Sequence, residues 1–140
     1  MADVHDKKTR SFNMSQIKAG NTKPELLVRK YLHSKGFRFR LHNTKITGKP
    51  DLYLKKYNTV IFVNGCFWHS HQGCKYATVP KTRTDWWIDK LNRTKERDQE
   101  VKTELEKMGF NVLIIWECSL KKDKIEETLK DLYNHLRSRN

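Results

Sequence analysis

Three cysteines and one histidine constrain the fold of this chain more than any other feature. Cys66, His71 and Cys74 lie within nine residues, and Cys118 follows 44 positions after Cys74. Thiolates and an imidazole suit four-coordinate zinc, which a closed ligand set of this kind binds for a structural purpose. The zinc site can form only if Cys118 lies at the end of a strand beside the 66–74 segment. The alternative is that Cys118 is a buried apolar thiol.

The apolar pattern predicts strands that could meet this requirement. Residues 59–63 and 110–116 form nearly continuous apolar runs, which are typical of strands in the middle of a sheet. Residues 37–41 alternate between apolar side chains and arginines, the period of a half-buried strand. Residues 51–54 form a further short strand after a turn at 48–50. A long loop is predicted over residues 64–83.

Helix signals occupy most of the remaining chain. Helices are predicted over 13–19, 23–35, 87–108 and 125–136. A capping box at residues 22–25 begins the second, and apolar steps of four and three define the third. The order α-α-β-β-β-loop-α-β-α predicts an α/β fold in which helices flank a mixed sheet, with a single domain over residues 1–140.

Basic residues dominate the charge, because 29 Lys and Arg against 16 Asp and Glu give a net charge of +13. Such an excess repels itself unless a polyanion neutralises it, so nucleic acid is the first partner to expect. A generic basic surface and an anionic membrane surface are the alternatives. Residues 1–12 are predicted to form an arm that contacts DNA. Without an apolar run of ~20 residues or a signal peptide, we expect a soluble, cytoplasmic protein with no membrane contact.

Asp51 is a candidate ligand for a divalent cation. It opens a predicted strand near the edge of the sheet, where a carboxylate could hold the metal used in phosphodiester cleavage. The alternative is a simple turn residue after Pro50. The acid-x-Lys pattern that accompanies such an aspartate in many metal nucleases is absent from residues 60–64.

His69 is a candidate general base, because imidazole accepts a proton near neutral pH. It could instead be the zinc ligand in place of His71, or a solvated loop residue. Asp98 and Glu25 are carboxylates on apolar helix faces, where a histidine or a metal-bound water would be a suitable partner. Their alternatives are a surface pair between Asp98 and Lys102, and a capping role for Glu25.

Aromatic residues in polar surroundings predict contacts with bases. Phe67 and Trp68 lie in the cysteine-containing loop, and Trp86 and Trp87 open the long helix among lysines and arginines. Exposed aromatic side chains amid positive charge are typical of wedges that enter a base stack. The alternative assigns one tryptophan of each pair to the core.

Taken together, these motifs resemble those of the very short patch repair (Vsr) endonucleases, and the resemblance covers nearly the whole chain. The matching strings are Gly48-Lys49-Pro50-Asp51, Gly65-Cys66-Phe67-Trp68-His69, Thr82-Arg83-Thr84, Glu96-Arg97-Asp98 and Trp116-Glu117-Cys118. This resemblance implies a restriction-endonuclease-like fold. It also implies magnesium-dependent nicking of double-stranded DNA on the thymine strand, 5′ to a T:G mismatch that arises from deaminated 5-methylcytosine.

The resemblance also assigns roles to individual residues. It implies that Mg²⁺ is bound by Asp51 and the main-chain carbonyl of Val63, that His69 is the general base and that Asp98 orients it. It implies structural zinc on the four Cys and His ligands. The side chains that it implies contact DNA are Phe67, Trp68, Trp87, Met14, Ile17 and Lys90. Glu25 and Asn64 complete the expected catalytic set, although better-known members have a histidine at position 64.

Two further functions remain as alternatives to the nickase. A non-catalytic, zinc-stabilised module could bind distorted DNA without cutting it, which the missing acid-x-Lys pattern and Asn64 favour. A restriction-type nuclease could act on intact duplex, although wedging an intact stack costs more than wedging a mismatch. We expect the protein to be a monomer whose product passes to other mismatch-repair proteins.

Overall fold

The structure is a computed structural model that describes residues 22–138. The predicted helix over 13–19, the arm over 1–12, Met14 and Ile17 lie outside the described residues. The elements are α1 (Lys23–Ser34), β1 (Arg40–Leu41), β2 (Leu52–Leu54), β3 (Thr59–Asn64), α2 (Thr84–Lys107), β4 (Asn111–Trp116) and α3 (Ile125–Ser138). None of these helices combines the length and the apolar character that crossing a membrane requires.

The four strands form one mixed sheet in the order β1-β2-β3-β4. β1 pairs with β2 and β2 with β3 in antiparallel fashion, whereas β3 and β4 run parallel. The parallel pair extends from Thr59 opposite Asn111 to Asn64 opposite Trp116, so both strands end at the same edge. The predicted α/β class and mixed sheet are confirmed, and helix α2 makes the crossover between the two parallel strands.

The first strand is shorter than predicted. Of residues 37–41, only Arg40 and Leu41 pair with β2, because β2 itself has three residues. Phe37 lies before the strand and is buried, with its ring 5.5 Å from Tyr57 and 5.9 Å from Tyr133. The alternation of Phe37 with the arginines therefore reflects the burial of Phe37 against α3 and not strand pairing.

The main core lies between one face of the sheet and helices α1 and α3. Its centre contains Val28 and Leu32 of α1, Ile61 of β3, and Leu132 and Leu136 of α3. These side chains are almost completely removed from water, and burial of each contributes about 1.5–3 kcal/mol. The apolar stripes predicted for α1 and α3 thus face the core.

Helix α2 approaches the sheet close to Gly48, in the turn before β2. Gly48 has φ +80, and a Cβ atom built there would overlap Cγ1 of Val101 on α2 and lie 3.4 Å from the ring of Phe62 on β3. A glycine is required here for two reasons, the backbone conformation and the close approach of the helix. The turn that leads to Asp51 is consequently fixed against both α2 and β3.

We predict that Gly48→Ala lowers the free energy of unfolding by about 2–5 kcal/mol, which combines about 1–2 kcal/mol of left-handed strain with about 1–3 kcal/mol of overpacking. Gly36→Ala is the matched control, because Gly36 has φ +84 but open space around its Cβ position. Urea denaturation of both variants separates the two contributions. An equal loss in the two variants would contradict the close contact with Val101, whereas partial recovery in Gly48→Ala/Val101→Ala would support it.

Candidate active site

The hairpin of β1 and β2 brings a histidine and two carboxylates together. Leu41 pairs with Leu52, so the next positions outward are His42 and Asp51, and the His42 N–H donates to the Asp51 carbonyl at 3.2 Å. The His42 Nε2 atom lies 2.8 Å from Glu25 Oε1 and 4.0 Å from Asp51 Oδ1. One ligand atom from each of the three residues lies within 4.8 Å of the others. Helix α1 and the paired strands β1 and β2 therefore build one small polar cluster.

The environment of Asp51 disfavours the ionised form of its carboxyl group. Its Oδ2 atom accepts a hydrogen bond from the Val63 N–H at 2.7 Å, which fixes the carboxyl against β3. Burial, together with a smaller contribution from the neighbouring Glu25 carboxyl, raises the pKa of Asp51 to about 7, although the Val63 hydrogen bond opposes the change. At neutral pH this carboxyl needs a proton or a cation beside it. Such a group is suited to bind a divalent ion.

Glu25 has more partners than helix capping explains. Thr22 does cap α1, since its side chain accepts from the Glu25 N–H at 3.4 Å. The Glu25 carboxylate itself is almost fully buried and interacts with Arg29 at 3.2 Å as well as with His42. The simple capping interpretation therefore accounts for the helix start but not for the position of this side chain.

His69 and Asp98 form a second histidine–carboxylate pair. His69 lies in the loop after β3, Asp98 lies on α2, and His69 Nδ1 is 2.6 Å from Asp98 Oδ2. Asp98 thus contacts the loop histidine, contrary to the alternative of a surface pair with Lys102. If Nδ1 carries the proton donated to Asp98, Nε2 is left as an acceptor, which is the arrangement of an oriented general base.

The four predicted zinc ligands lie together at the ends of β3 and β4. Cys66, His71, Cys74 and Cys118 each place one ligand atom within 4.8 Å of the others. Cys118 Sγ is 3.4 Å from His71 Nδ1, and the Cys118 N–H donates to Cys66 Sγ at 3.4 Å. His71 joins this cluster and His69 points to Asp98, so the two loop histidines have different partners.

The donor chemistry of this cluster fits zinc. Three thiols and one imidazole are a common set for a closed tetrahedral site, and the four donors are close enough to share one ion. Burial raises the pKa of the Cys66 thiol to about 12. For Cys74, desolvation that raises the pKa is outweighed by hydrogen bonds from the Tyr76 backbone and the two other thiols, which lower it. A cation would stabilise the thiolate forms of this set.

Trp116 connects the two histidines. Its ring stacks on His71 at a centroid distance of 4.1 Å and an interplanar angle of 6°, and it lies 6.5 Å from the ring of His69. Trp116 is the last residue of β4, opposite the buried Asn64 at the end of β3. The strand ends therefore support the loop that carries both the cysteine ligands and His69.

The predicted wedge residues form one aromatic cluster between the loop and the start of α2. Phe67 lies 5.1 Å from Trp68 and 5.3 Å from Trp87, and the two tryptophans lie 5.9 Å apart. All three side chains are half-buried. These side chains are neither in the core nor isolated on the surface. A wedge whose aromatic rings are held in place by one another requires this arrangement.

Trp86 is a surface aromatic residue that the predicted site did not include. It lies 4.9 Å from Trp87, is 43% exposed, and has Arg83 and Lys90 over its ring at 5.0 and 5.8 Å. Lys90, a predicted DNA contact, thus lies beside the aromatic cluster. Trp86, which the sequence pattern groups with the exposed aromatic residues, stands outside the apolar stripe of α2.

His42 is the other site residue that the sequence analysis missed. The predicted strand over 37–41 ends just before it, and nothing in its local sequence indicates a ligand. The signal lies in the antiparallel register, because a hairpin that pairs Leu41 with Leu52 necessarily sets position 42 against Asp51. That register could be guessed only after both strands had been bounded to within one residue.

Comparison with known proteins finds a family model and several relatives that agree with one another. The sequence model of the family described as DNA mismatch endonuclease Vsr matches residues 2–75. The type II nicking enzyme V.NmeAIP of Neisseria meningitidis is 47% identical over 125 residues, which cover 89% of each chain. The DNA mismatch endonuclease Vsr of Escherichia coli is 43% identical over 121 residues, which cover 86% of this chain and 77% of the relative. The chain therefore belongs to the Vsr family of DNA mismatch endonucleases.

Proposed function

We propose that the protein is a magnesium-dependent endonuclease that nicks the thymine strand 5′ to a T:G mismatch left by deamination of 5-methylcytosine. The observation that carries this proposal is the half-buried Asp51 carboxyl, fixed by Val63 and adjacent to Glu25, in a chain of this family. The proposal includes a restriction-endonuclease-like fold, a single domain over residues 1–140 and action as a cytoplasmic monomer ahead of other mismatch-repair proteins.

In this proposal His69 removes the proton from the attacking water. The bond from Nδ1 to Asp98 at 2.6 Å orients the imidazole and stabilises the imidazolium that forms, and it leaves Nε2 to accept the proton. Asp98 acts through His69 and does not itself contact the reacting atoms. As the water oxygen loses its proton to His69 and bonds to phosphorus, the P–O bond to the leaving sugar oxygen breaks, and that oxygen takes a proton from solvent.

The carboxyl groups of Asp51 and Glu25 would hold the catalytic cation, with the Val63 carbonyl as a further oxygen ligand. A magnesium ion bound there supplies electrostatic stabilisation of the charge that develops on the phosphate. The oxygen-rich ligand set fits a hard divalent cation, and the raised pKa of Asp51 is the property expected of a carboxyl whose environment is completed by a positive charge. Asn64, buried at the end of β3, supports this edge without an ionisable group.

Structural zinc and DNA contacts complete the proposal. Zinc on the four Cys and His ligands would fix the loop and, through it, His69 and the wedge. Phe67, Trp68 and Trp87 would enter the stack beside the mismatch, where unstacking costs less than in a matched duplex. Lys90 would contact the DNA next to them, Met14 and Ile17 would approach from the minor groove, and residues 1–12 would form an arm that contacts the DNA.

We predict that Asp51→Asn lowers the rate of nicking of a T:G duplex about a thousandfold, because the cation loses an ionised ligand but the amide keeps the space filled. Mismatch binding should stay within about tenfold of the wild type, since Asp51 reads no base. Asp89→Asn is the matched control, as Asp89 is an exposed residue of α2 paired with Arg93. Unchanged cleavage by Asp51→Asn on end-labelled duplexes would reduce Asp51 to a turn residue.

We predict that the wild type contains about one zinc per chain and that Cys118→Ser loses it together with much of the folding stability, because a structural zinc site contributes folding free energy. Elemental analysis and thermal unfolding measure the two effects. Ser119→Ala, at the adjacent position, is the control and should retain the metal. Fully reduced wild-type protein without zinc would overturn the ligand assignment.

We predict that Trp68→Ala lowers affinity for a T:G duplex about ten- to a hundredfold and affinity for the matched duplex much less, since stacking on a base is worth about 1–3 kcal/mol. Lys75→Ala, if Lys75 meets a phosphate, should weaken both complexes equally and reduce the salt slope by about one. Binding is measured at one fixed salt concentration with folding checked in parallel. Equal losses on both duplexes for Trp68→Ala would assign Trp68 to general packing.

A further inference from the structure

His42 is a polar residue of the candidate site to which the proposed reaction gives no role. Its Nε2 atom faces the two carboxyl groups of the cation site, at 2.8 Å from Glu25 Oε1 and 4.0 Å from Asp51 Oδ1. Its backbone is fixed to Asp51 by a hydrogen bond and has φ +45, a conformation that non-glycine residues adopt rarely. A strained backbone at this point aims the imidazole into the cluster.

A counter-ion role does not account for this position. Glu25 already has a cationic partner, since Arg29 approaches its other carboxylate oxygen at 3.2 Å. The His42 Nε2 atom also lies 4.0 Å from the Asp51 carboxyl, which a simple pairing with Glu25 does not require. An imidazole between two carboxyl groups is a ligand arrangement that transition metals favour.

The spacing of the donor atoms fits one ion. Ligands 2.1 Å from an octahedral metal are about 3.0 Å apart when adjacent and about 4.2 Å apart when opposite. The separations of 2.8 and 4.0 Å from Nε2 to the two carboxyl oxygens are close to these values. One donor atom from each of the three residues lies within 4.8 Å of the others, so the three side chains are grouped closely enough to share one cation.

We propose that His42 Nε2 is the third protein ligand of the cation site, with Glu25 and Asp51, and that it raises the affinity of this site for first-row transition ions relative to its affinity for Mg²⁺. The inference rests on the proposed function, because it assumes that Asp51 binds a cation. Mg²⁺ takes oxygen ligands almost exclusively, whereas imidazole binds first-row transition ions well. Replacing one oxygen ligand by nitrogen therefore shifts the selectivity of the site.

The test uses Mn²⁺ as the probe with the full-length, zinc-containing protein and no DNA. Mn²⁺ is paramagnetic and also binds oxygen-only sites, so a directly bound nitrogen and the effect of removing His42 are the signs of nitrogen ligation. Electron paramagnetic resonance counts free Mn²⁺, competition with Mg²⁺ gives the selectivity, and electron spin-echo modulation detects a directly bound ¹⁴N. We expect a histidine nitrogen signal in the wild type.

His42→Gln should abolish that nitrogen signal and reduce the preference for Mn²⁺ over Mg²⁺ by about tenfold or more. Glutamine keeps a hydrogen-bond donor for Glu25, and thermal unfolding checks that the fold persists. His33→Gln is the matched control, because His33 is an exposed residue at the end of α1, and it should keep both the signal and the selectivity.

Two results would overturn the inference in different ways. If Mn²⁺ binds, Asp51→Asn abolishes the binding and no nitrogen signal appears in the wild type, the cation site stands and His42 is not its ligand. If Asp51→Asn leaves Mn²⁺ binding unchanged, the proposed cation site itself is wrong, and the role of His42 fails with it.

Discussion

The positions of the other site residues depend on the parallel pairing of β3 with β4. The two strands end together at Asn64 and Trp116, and the segments that follow them supply the Cys66 and Cys118 thiols. Trp116 then stacks on His71 and lies near His69, so a strand end supports the whole loop. On its other edge β3 also holds Asp51, through the Val63 N–H. Main-chain hydrogen bonds between these strands therefore set the relative positions of both candidate metal sites.

The carboxyl groups of the site lie in two different electrostatic environments. The His69–Asp98 pair is half-exposed and joined by one short contact, whereas Asp51 is half-buried with a second carboxyl beside it. Because the pKa of Asp51 rises from 3.8 to about 7 on folding, the folded form holds a proton that the unfolded chain has released. The stability of the metal-free protein therefore falls as the pH rises through that interval, and a bound cation offsets this loss. Because the chain belongs to an endonuclease family, function can explain why a carboxyl that lowers the stability of the metal-free protein is present.

Local sequence patterns predicted most of the helices and strands. The predictions were most accurate where a single physical cause produces the pattern. The apolar runs of β3 and β4, the capped start of α1 and the stripe of α3 were all identified to within a few residues. β1 was overestimated, because Phe37 is buried by packing and not by pairing. Within the site, the clustering of the four Cys and His residues was predicted from ligand chemistry, whereas His42 was missed because only strand register places it there. The catalytic and DNA-binding roles remain predictions.

The crossover through α2 has a further consequence for how the protein acquires its structure. β3 and β4 pair residues that are 52 positions apart in sequence, and Cys66 and Cys118, just beyond the strand ends, have the same separation. Closing so large a loop costs chain entropy before any contact stabilises it, and such contacts form late in folding. The α1 helix and the β2–β3 hairpin can form earlier, since their contacts are local. We therefore expect partly folded and newly synthesised chains to lack an assembled site, so that they do not cut the DNA around them.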